Sequence, residues 1–409
     1  MRILAATIGS DGDLQPFYAF ARRLLADGHE VTLVANERYS ARARTLGIPF
    51  ATLAPPWEPD VLRAHAERIL AERAPHRQLA FVIDAFMEEQ KASIRGLVEL
   101  SGAADVVIHH LVFVAAAAAA HATNTRNVSV QFAPLHKARG YGPNGRNMGA
   151  WLNLLGWNLA GSMVRSATDS KLNTIVEAVG LPPWRDILFS ASHSALLDLI
   201  AVSPGVIPKD STWGEATRVC GYWFLDEPGF VPPKDLEAFV LGAEPPVVLG
   251  FGSMMGSADS ITAKIAQAVD GLRRRIVLMS GWAGLGKIPL PDNVRVAEFV
   301  PHGWLFPKAA GVVHHGGAGT TAAAFRAGIP QAVVWHLGDQ PMWAAKVLQL
   351  GVGPKAIFHQ KLTAKWLRQK IDTLLSNDGM RARAAALGAA VRAEDGLCNA
   401  ARALSAVVR

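Results

Sequence analysis

The stretch VVHHGGAGTTAAAFRAGIPQAVVWHLGDQP, residues 312–341, decides the fold. It runs from an apolar strand into two histidines and a glycine cluster, then a helix, a second strand, and a polar pair, Asp339-Gln340. Strand, helix, strand at this length is a βαβ unit, and βαβ units build parallel sheets. In such sheets ligands bind beyond the C-terminal ends of strands, where helix N-termini expose unpaired backbone N–H groups. HHGGAGTT occupies such a place: Gly316, Gly317 and Gly319 admit a close backbone approach, Thr320 and Thr321 add hydroxyls, and the helix dipole favours an anion. A phosphate is the expected guest.

The same unit recurs outward in both directions. Upstream, VVLGFGS, a helix over 261–272, RIVLMSG and VRVAEFV precede GVVHHG; downstream, a helix over 343–350 follows QAVVW. The N-terminal half opens with RILAATI, the loop GSDGDLQP, a helix closed by Gly28, and the strand EVTLVAN. DVVIHH, an Ala-rich helix to His121 and NVSVQFAP continue it. The fold class expected is α/β, with two doubly wound Rossmann-like domains facing a cleft. The proline-rich stretch 226–246 marks the boundary, because proline fixes φ and disfavours regular structure on either side. The expected division is 1–225, a linker over 226–246, 247–390, and a C-terminal helix over 391–409 that packs back on the first domain.

Bulk composition agrees. A chain of 409 residues exceeds the usual single core, half of it is hydrophobic and 18% is charged, so a well-packed globular protein is expected. The net charge of +7 comes without a basic run, which makes nucleic acid an unexpected partner and a small anionic ligand a better one. Cys220 and Cys398 form no metal or CxxC pattern, so a reducing, cytoplasmic location is expected. Met1-Arg2 leads directly into a strand rather than a secretory signal, and the apolar run Leu111–Ala120 is short of the ~18 residues a membrane span needs.

Several residues carry two readings. No Lys follows the glycines of HHGGAGTT and no GxGxxG is present there, so a Walker loop and nicotinamide chemistry lose their support. At GFGSM, the amides of Gly252 and Ser253 reach the same phosphates, or the segment is a plain βα turn. Asp339 and Gln340 suit the vicinal hydroxyls of a sugar, or cap a helix ahead of Pro341. Asp13, beside Gly12, suits a general base at a helix start or an electrostatic role there. Asp11-Gly12-Asp13 also spells DxD, but in the other domain from the phosphate site; no metal site is expected. His109, His110 and His121 read as packed or capped residues. Residues 134–164 are either a binding insertion or a covering helix with Trp151, Leu155 and Trp157 packed, and the part from Ala150 to Val164 suits transient contact with a membrane surface without stable insertion.

Together these motifs resemble the GT-B glycosyltransferases of the UDP-glycosyltransferase superfamily, in the branch of the sterol and glycopeptide-antibiotic glucosyltransferases. The resemblance is carried by GYWFLDEP at Gly221, GFGSM, SGWAGL, FVPHGWLFP, HHGGAGTT, GDQPMW and GSDGDLQP, an ordered set across most of the chain. It implies an inverting O-glycosyltransferase that uses a UDP-sugar, UDP-glucose first, as donor substrate and needs no cofactor or metal. An apolar hydroxylated acceptor such as a sterol, polyketide or polyphenol is implied as well. His315 with Gly317, Gly319, Thr320, Gly252 and Ser253 would hold the diphosphate. The backbone near Val300 and His302, with Trp282, would surround the base; Asp339 and Gln340 would hold the sugar, and Asp13 would activate the acceptor, with Gly12 beside it. Trp335-His336 and Gly303 depart from the family pattern near the donor pocket, which leaves a dTDP-deoxysugar such as dTDP-rhamnose as an alternative donor. A GT-B sugar-nucleotide epimerase is the alternative from another reaction class.

Overall fold

The computed structural model describes residues 1–54, 64, 65, 68, 69, 71, 72, 74–227, 229–251, 258–281, 286 and 288–408. They form two compact units: Met1–Pro143 with Asn147–Leu225 and Glu394–Arg409, and Asp226–Ala393 with Asn144–Arg146.

The first unit is a seven-stranded parallel sheet in the order β3-β2-β1-β4-β5-β6-β7. Its strands are β1 (Arg2–Ala6), β2 (Glu30–Ala35), β3 (Phe50–Thr52), β4 (Val106–His110), β5 (Arg126–Gln131), β6 (Asp198–Ile200) and β7 (Thr217–Val219). Both faces are covered, so the central strands are near-continuous apolar runs rather than alternating ones. One face packs on the helices Asp11–Ala26 and Gly396–Val408, with Phe17, Phe20, Leu24 and Leu404 buried together. The other packs on the helices Pro75–Ala103, Val114–Ala122 and Ala150–Glu177. The run of alanines Ala115–Ala120 is fully buried because their small side chains let the helix Val114–Ala122 lie close to the sheet.

The chain's last helix is tied to this unit. Asn399 Nδ2 donates to the Cys220 carbonyl at 3.0 Å, and Ser203 Oγ donates to Glu394 Oε1 at 2.6 Å. Gly221, at φ +97°, lies so near Gly396 that a Cβ there would come within 3.0 Å of its Cα.

The second unit is a six-stranded parallel sheet in the order β10-β9-β8-β11-β12-β13. Its strands are β8 (Val247–Gly250), β9 (Ile276–Met279), β10 (Val294–Ala297), β11 (Gly311–His314), β12 (Gln331–Trp335) and β13 (Ile357–Phe358). The stretch 226–246 is counted with this unit: it contains the helix Lys234–Val240, whose Leu236 and Val240 are buried beside Val248, Val277 and Phe306.

Each sheet therefore reverses its strand order once, between β1 and β4 and between β8 and β11. Those reversals open the crevices in which doubly wound sheets bind ligands. Among the described residues no helix is long and apolar enough to cross a membrane.

Candidate functional site

His314, the last residue of β11, pairs in register with Gly250, the last of β8, so the loops after both strands leave the sheet at its switch point. His314 is fully buried and has a defined tautomer. Its Nδ1 accepts the Gly316 N–H at 3.0 Å, which puts its proton on Nε2, the atom that donates to Gln331 Oε1 at 2.7 Å. Burial first, and the neighbouring His315 second, push its pKa down to about 3, so the ring stays neutral and the loop stays pinned.

Gly316 then turns the chain at φ +87°, in the left-handed region that favours glycine. A Cβ there would stand 2.7 Å from Val333 Cγ1, so glycine is required on both grounds. Gly317 is the N-cap of the helix Ala318–Ala327 and supplies no side-chain cap. The first intrahelical backbone bond there is Thr321 N–H to the Gly317 carbonyl at 3.0 Å, so the amides of Ala318, Gly319 and Thr320 head the helix without intrahelical acceptors. Gly319 is exposed, and among the described residues nothing lies within 4 Å of a Cβ built there. Thr320 is half-buried, whereas Thr321 is buried with its hydroxyl committed to the Gly317 carbonyl at 2.9 Å.

His315 is half-buried beside this helix start, with its Nε2 against Gly317. Desolvation pushes its pKa down to about 4, against a smaller opposite pull from the Gly250 carbonyl. At neutral pH it is thus a hydrogen-bonding group, not a cation, and its buried Nδ1 has no hydrogen-bond partner among the described residues. His302 opens the short helix His302–Leu305, stacks on Phe306 at 4.5 Å, and is likewise held to a pKa of about 4 by burial and by His315. Val300 is buried in the core, so its side chain is not open to a ligand. Gly252, Ser253 and Trp282 lie outside the described residues.

Beyond β12, Asp339 is the N-cap of the helix Gln340–Gln349, and its Oδ2 accepts the Trp343 indole N–H at 2.6 Å. Gln340 Oε1 accepts from the amides of His336 at 2.7 Å and Leu337 at 3.2 Å. Asp339 thus stands at the N-cap position without a side-chain bond to the helix backbone, so its carboxylate does not act as the helix cap that the sequence allowed. These inward bonds orient both side chains. Trp335 and His336 pack on Phe358 and His359, each ring pair 4.5 Å apart.

In the first unit, Gly12 and Asp13 lie in the opening turn of the helix Asp11–Ala26. Asp13 Oδ2 accepts from the Ser10 amide at 2.8 Å and the Ser10 hydroxyl at 3.1 Å, a capping box that uses one oxygen and leaves Oδ1. The charge of Asp13 reaches His110 at the end of β4, whose pKa is nevertheless depressed because burial outweighs it. His109 is fully buried, whereas His121 is exposed in the last turn of its helix with Nδ1 bonded to the Ala117 carbonyl at 2.9 Å.

Among the described residues, His136, His193 and Asp198 bring donor atoms within 4.8 Å of one another. His136 Nε2 is 2.6 Å from Asp198 Oδ2, a hydrogen-bond separation rather than the roughly 3.3 Å between two ligands on one zinc. Gln131, whose Oε1 accepts from Leu135 N–H, points its NH2 at both carboxylate oxygens, and Ser129 donates as well at 2.6 Å. Burial raises the Asp198 pKa, but the bonds from His136 and His193 outweigh it and hold the carboxyl well below its usual range. The cluster is a satisfied polar network.

Known proteins match this architecture. Residues 3–125 match the glycosyltransferase family 28 N-terminal domain, and residues 263–405 match the erythromycin biosynthesis protein CIII-like C-terminal domain. The chain is 32% identical to the O-mycaminosyltylonolide 6-deoxyallosyltransferase of Streptomyces fradiae, across 98% of this chain and 96% of that one. It is 29% identical to a sterol 3-beta-glucosyltransferase of Arabidopsis thaliana over 98% of its own length, spanning 65% of that relative. Among solved structures it resembles the glycotransferase of kitacinnamycin (TM-score 0.75, 19% identity, covering 100% of this chain and 99% of that one). It also resembles the glycosyltransferase VinC in complex with DTDP (TM-score 0.70, 21% identity, 100% and 99%). The chain belongs to the GT-B glycosyltransferases of the UDP-glycosyltransferase superfamily.

The motif reading singled out His315 and Asp339-Gln340 but not their supports. His314, Gln331 and Trp343 became visible only when the pairing of β11 with β12 and the first turn of the next helix were in place. The doubled histidine of HHGG was the available signal.

Proposed function

We propose that this chain is an inverting, metal-independent O-glycosyltransferase that moves a hexose from a nucleoside diphosphate sugar, UDP-glucose first, to a hydroxyl of an apolar small molecule such as a sterol or polyketide. The observation that carries the reading is the helix start after Gly317. Three amides without intrahelical acceptors, one of them that of the exposed Gly319, and a neutral His315 converge there at the sheet's switch point. Helix dipole and amides oppose the charge that develops on a departing diphosphate. The acceptor oxygen forms its bond to the anomeric carbon as the bond to the diphosphate oxygen breaks. The electron pair leaves with the diphosphate, and Asp13 Oδ1 takes the acceptor proton. Asp339 and Gln340 orient the hexose.

A second donor is favoured by a specific observation. One relative matched over nearly its whole length is a 6-deoxyallosyltransferase, and VinC was solved with DTDP, which supports a thymidine nucleotide carrying a deoxysugar.

Thermal shift with UDP, dTDP and GDP tests the reading by linkage. Stabilisation by UDP or dTDP is expected, followed by a transfer product with an inverted anomeric centre by NMR. The absence of stabilisation by every diphosphate would remove the phosphate site, and a new sugar nucleotide formed without acceptor would replace transfer by epimerisation.

A further inference from the structure

The tip of one long loop belongs to a different unit from its two legs. The chain up to Pro143 and again from Asn147 is part of the first unit, whereas Asn144–Arg146 are part of the second. Both legs are tied at the neck by one fully buried side chain. Asn153 Nδ2 donates to the Arg139 carbonyl at 2.7 Å and to Asn147 Oδ1 at 3.0 Å, and its Oδ1 accepts the Met148 N–H at 3.0 Å. At the tip Asn144 Oδ1 accepts the Arg146 N–H at 3.1 Å, and Gly145, at φ +77°, takes the left-handed conformation that favours glycine. A buried polar residue bonded on both its nitrogen and its oxygen rigidifies what it joins, so the loop presents its tip in one shape.

That tip rests on the helix Gln340–Gln349. Gly145 is buried while Asn144 and Arg146 on either side are exposed, and its carbonyl accepts from Gln349 Nε2 at 2.8 Å. A Cβ at Gly145 would stand 2.8 Å from the Met342 carbonyl oxygen, 2.9 Å from the Met342 Cα and 3.1 Å from the Ala345 Cβ. The backbone of residue 145 therefore lies directly against the first two turns of the helix, an approach that glycine allows. Met342 immediately precedes Trp343, whose indole holds Asp339 at 2.6 Å. The helix start has no side-chain cap of its own, so support from outside matters to the turn that carries Asp339 and Gln340.

We propose that Gly145 is a positioning residue for the donor sugar. Seated on Met342 and anchored by Gln349, it fixes the first turn of the helix Gln340–Gln349 and through it the placement of Asp339 and Gln340 against the hexose. This inference rests on the proposed role of that pair. The diphosphate site is headed by a different helix, Ala318–Ala327, so the two halves of the donor should respond differently when the tip is lost.

Kinetics and binding on the full chain test it, with UDP-glucose or a dTDP-deoxysugar, whichever the wild type uses. Gln349→Glu replaces the donor by a carboxylate facing the Gly145 carbonyl. It should raise KM for the sugar nucleotide about five-fold, the loss of roughly one hydrogen bond, while Kd for the free diphosphate by isothermal titration is unchanged. Gln349→Lys keeps a donor and should restore KM. Gly145→Ala should raise KM about ten-fold or more; if it melts early, the Gln349 pair carries the test alone. A smaller folded fraction would lower kcat and leave KM as it was, so this split separates positioning from loss of structure. Hydrogen exchange of the ligand-free protein is the second readout: amides of residues 340–345 should exchange about five-fold faster in Gln349→Glu at an unchanged melting temperature. Wild-type KM in both Gln349→Glu and Gly145→Ala, wild-type exchange in Gln349→Glu, or equal losses for sugar nucleotide and free diphosphate would overturn the proposal. It would also fall if the wild type neither bound a diphosphate nor transferred a hexose, and that control shows that the underlying function, not the loop, had failed.

Discussion

His314 Nδ1 accepts the Gly316 N–H at 3.0 Å, so a buried, neutral imidazole at the end of β11 sets the path of the loop that leads to the helix Ala318–Ala327. Its other nitrogen reaches across to Gln331 at the start of β12. The glycine turn is therefore anchored from both strands that flank it, and the helix start that follows is held in place before any ligand arrives.

Gly316→Ala should be costly. The left-handed φ alone costs ~1–2 kcal/mol for a residue with a Cβ, and the approach to Val333 adds to it. Gly338 is the control: its φ is +63° but nothing among the described residues lies within 4 Å of a Cβ built there, so Gly338→Ala should show only the backbone cost. Denaturant melts compare the two, and equal losses would contradict the packing argument.

His315→Ala should weaken UDP or dTDP binding by ~10-fold or more, the loss of about one charge-assisted hydrogen bond, with little change in melting temperature. His314→Ala should reduce both, because it unties the loop. Isothermal titration and melting curves on the two variants separate the roles.

Asp13→Asn should lower kcat by ~10²–10⁴, the range for a general base, while Ser10→Ala, which removes only the cap partner, should cost ~0.5–2 kcal/mol of stability and little rate. A folded Asp13→Asn enzyme with full transfer rates would reduce Asp13 to its capping role.

Asp339→Asn retains an acceptor for the Trp343 indole but replaces the second oxygen by an amide. Affinity for the free nucleoside diphosphate should be unchanged while kcat/KM for the sugar nucleotide falls ~10-fold or more. Equal losses for both ligands would place Asp339 outside the sugar contact.

Stability should fall as pH drops from about 6.5 towards 4. His109, His302 and His315 have folded pKa values near 4, and His314 and His336 near 3, each because burial disfavours the cation. The unfolded chain, with histidines near their ordinary value, then binds more protons throughout that window, so acid favours unfolding by up to ~1.4 kcal/mol per group per pH unit. Melting temperature against pH checks the sign. A bound diphosphate should raise the His315 pKa, so affinity should increase as pH falls within the range where the protein stays folded.

How much of this was legible in the sequence depends on the reach of the interaction. The βαβ series, the glycine-rich helix start and the positions of His315, Asp339 and Asp13 follow from local periodicity and motif order, because strand and helix signals and glycine clusters act within a few residues. The short strands β3, β6, β7 and β13, of two or three residues, carry too little periodicity to be read. Contacts distant in the chain belonged to the tertiary structure alone. Pairing of β11 with β12 placed Gln331 under His314, and packing of the helix Gly396–Val408 beside Phe17 and Leu24 returned the C-terminus to the first unit. Tertiary structure also divided the helix Ala150–Glu177 between Trp157, buried as a covering helix requires, and Trp151 and Leu155, which are exposed. A helix whose first half is apolar on two opposite faces has no face preference there, so only the surface it packs against decides which tryptophan is core.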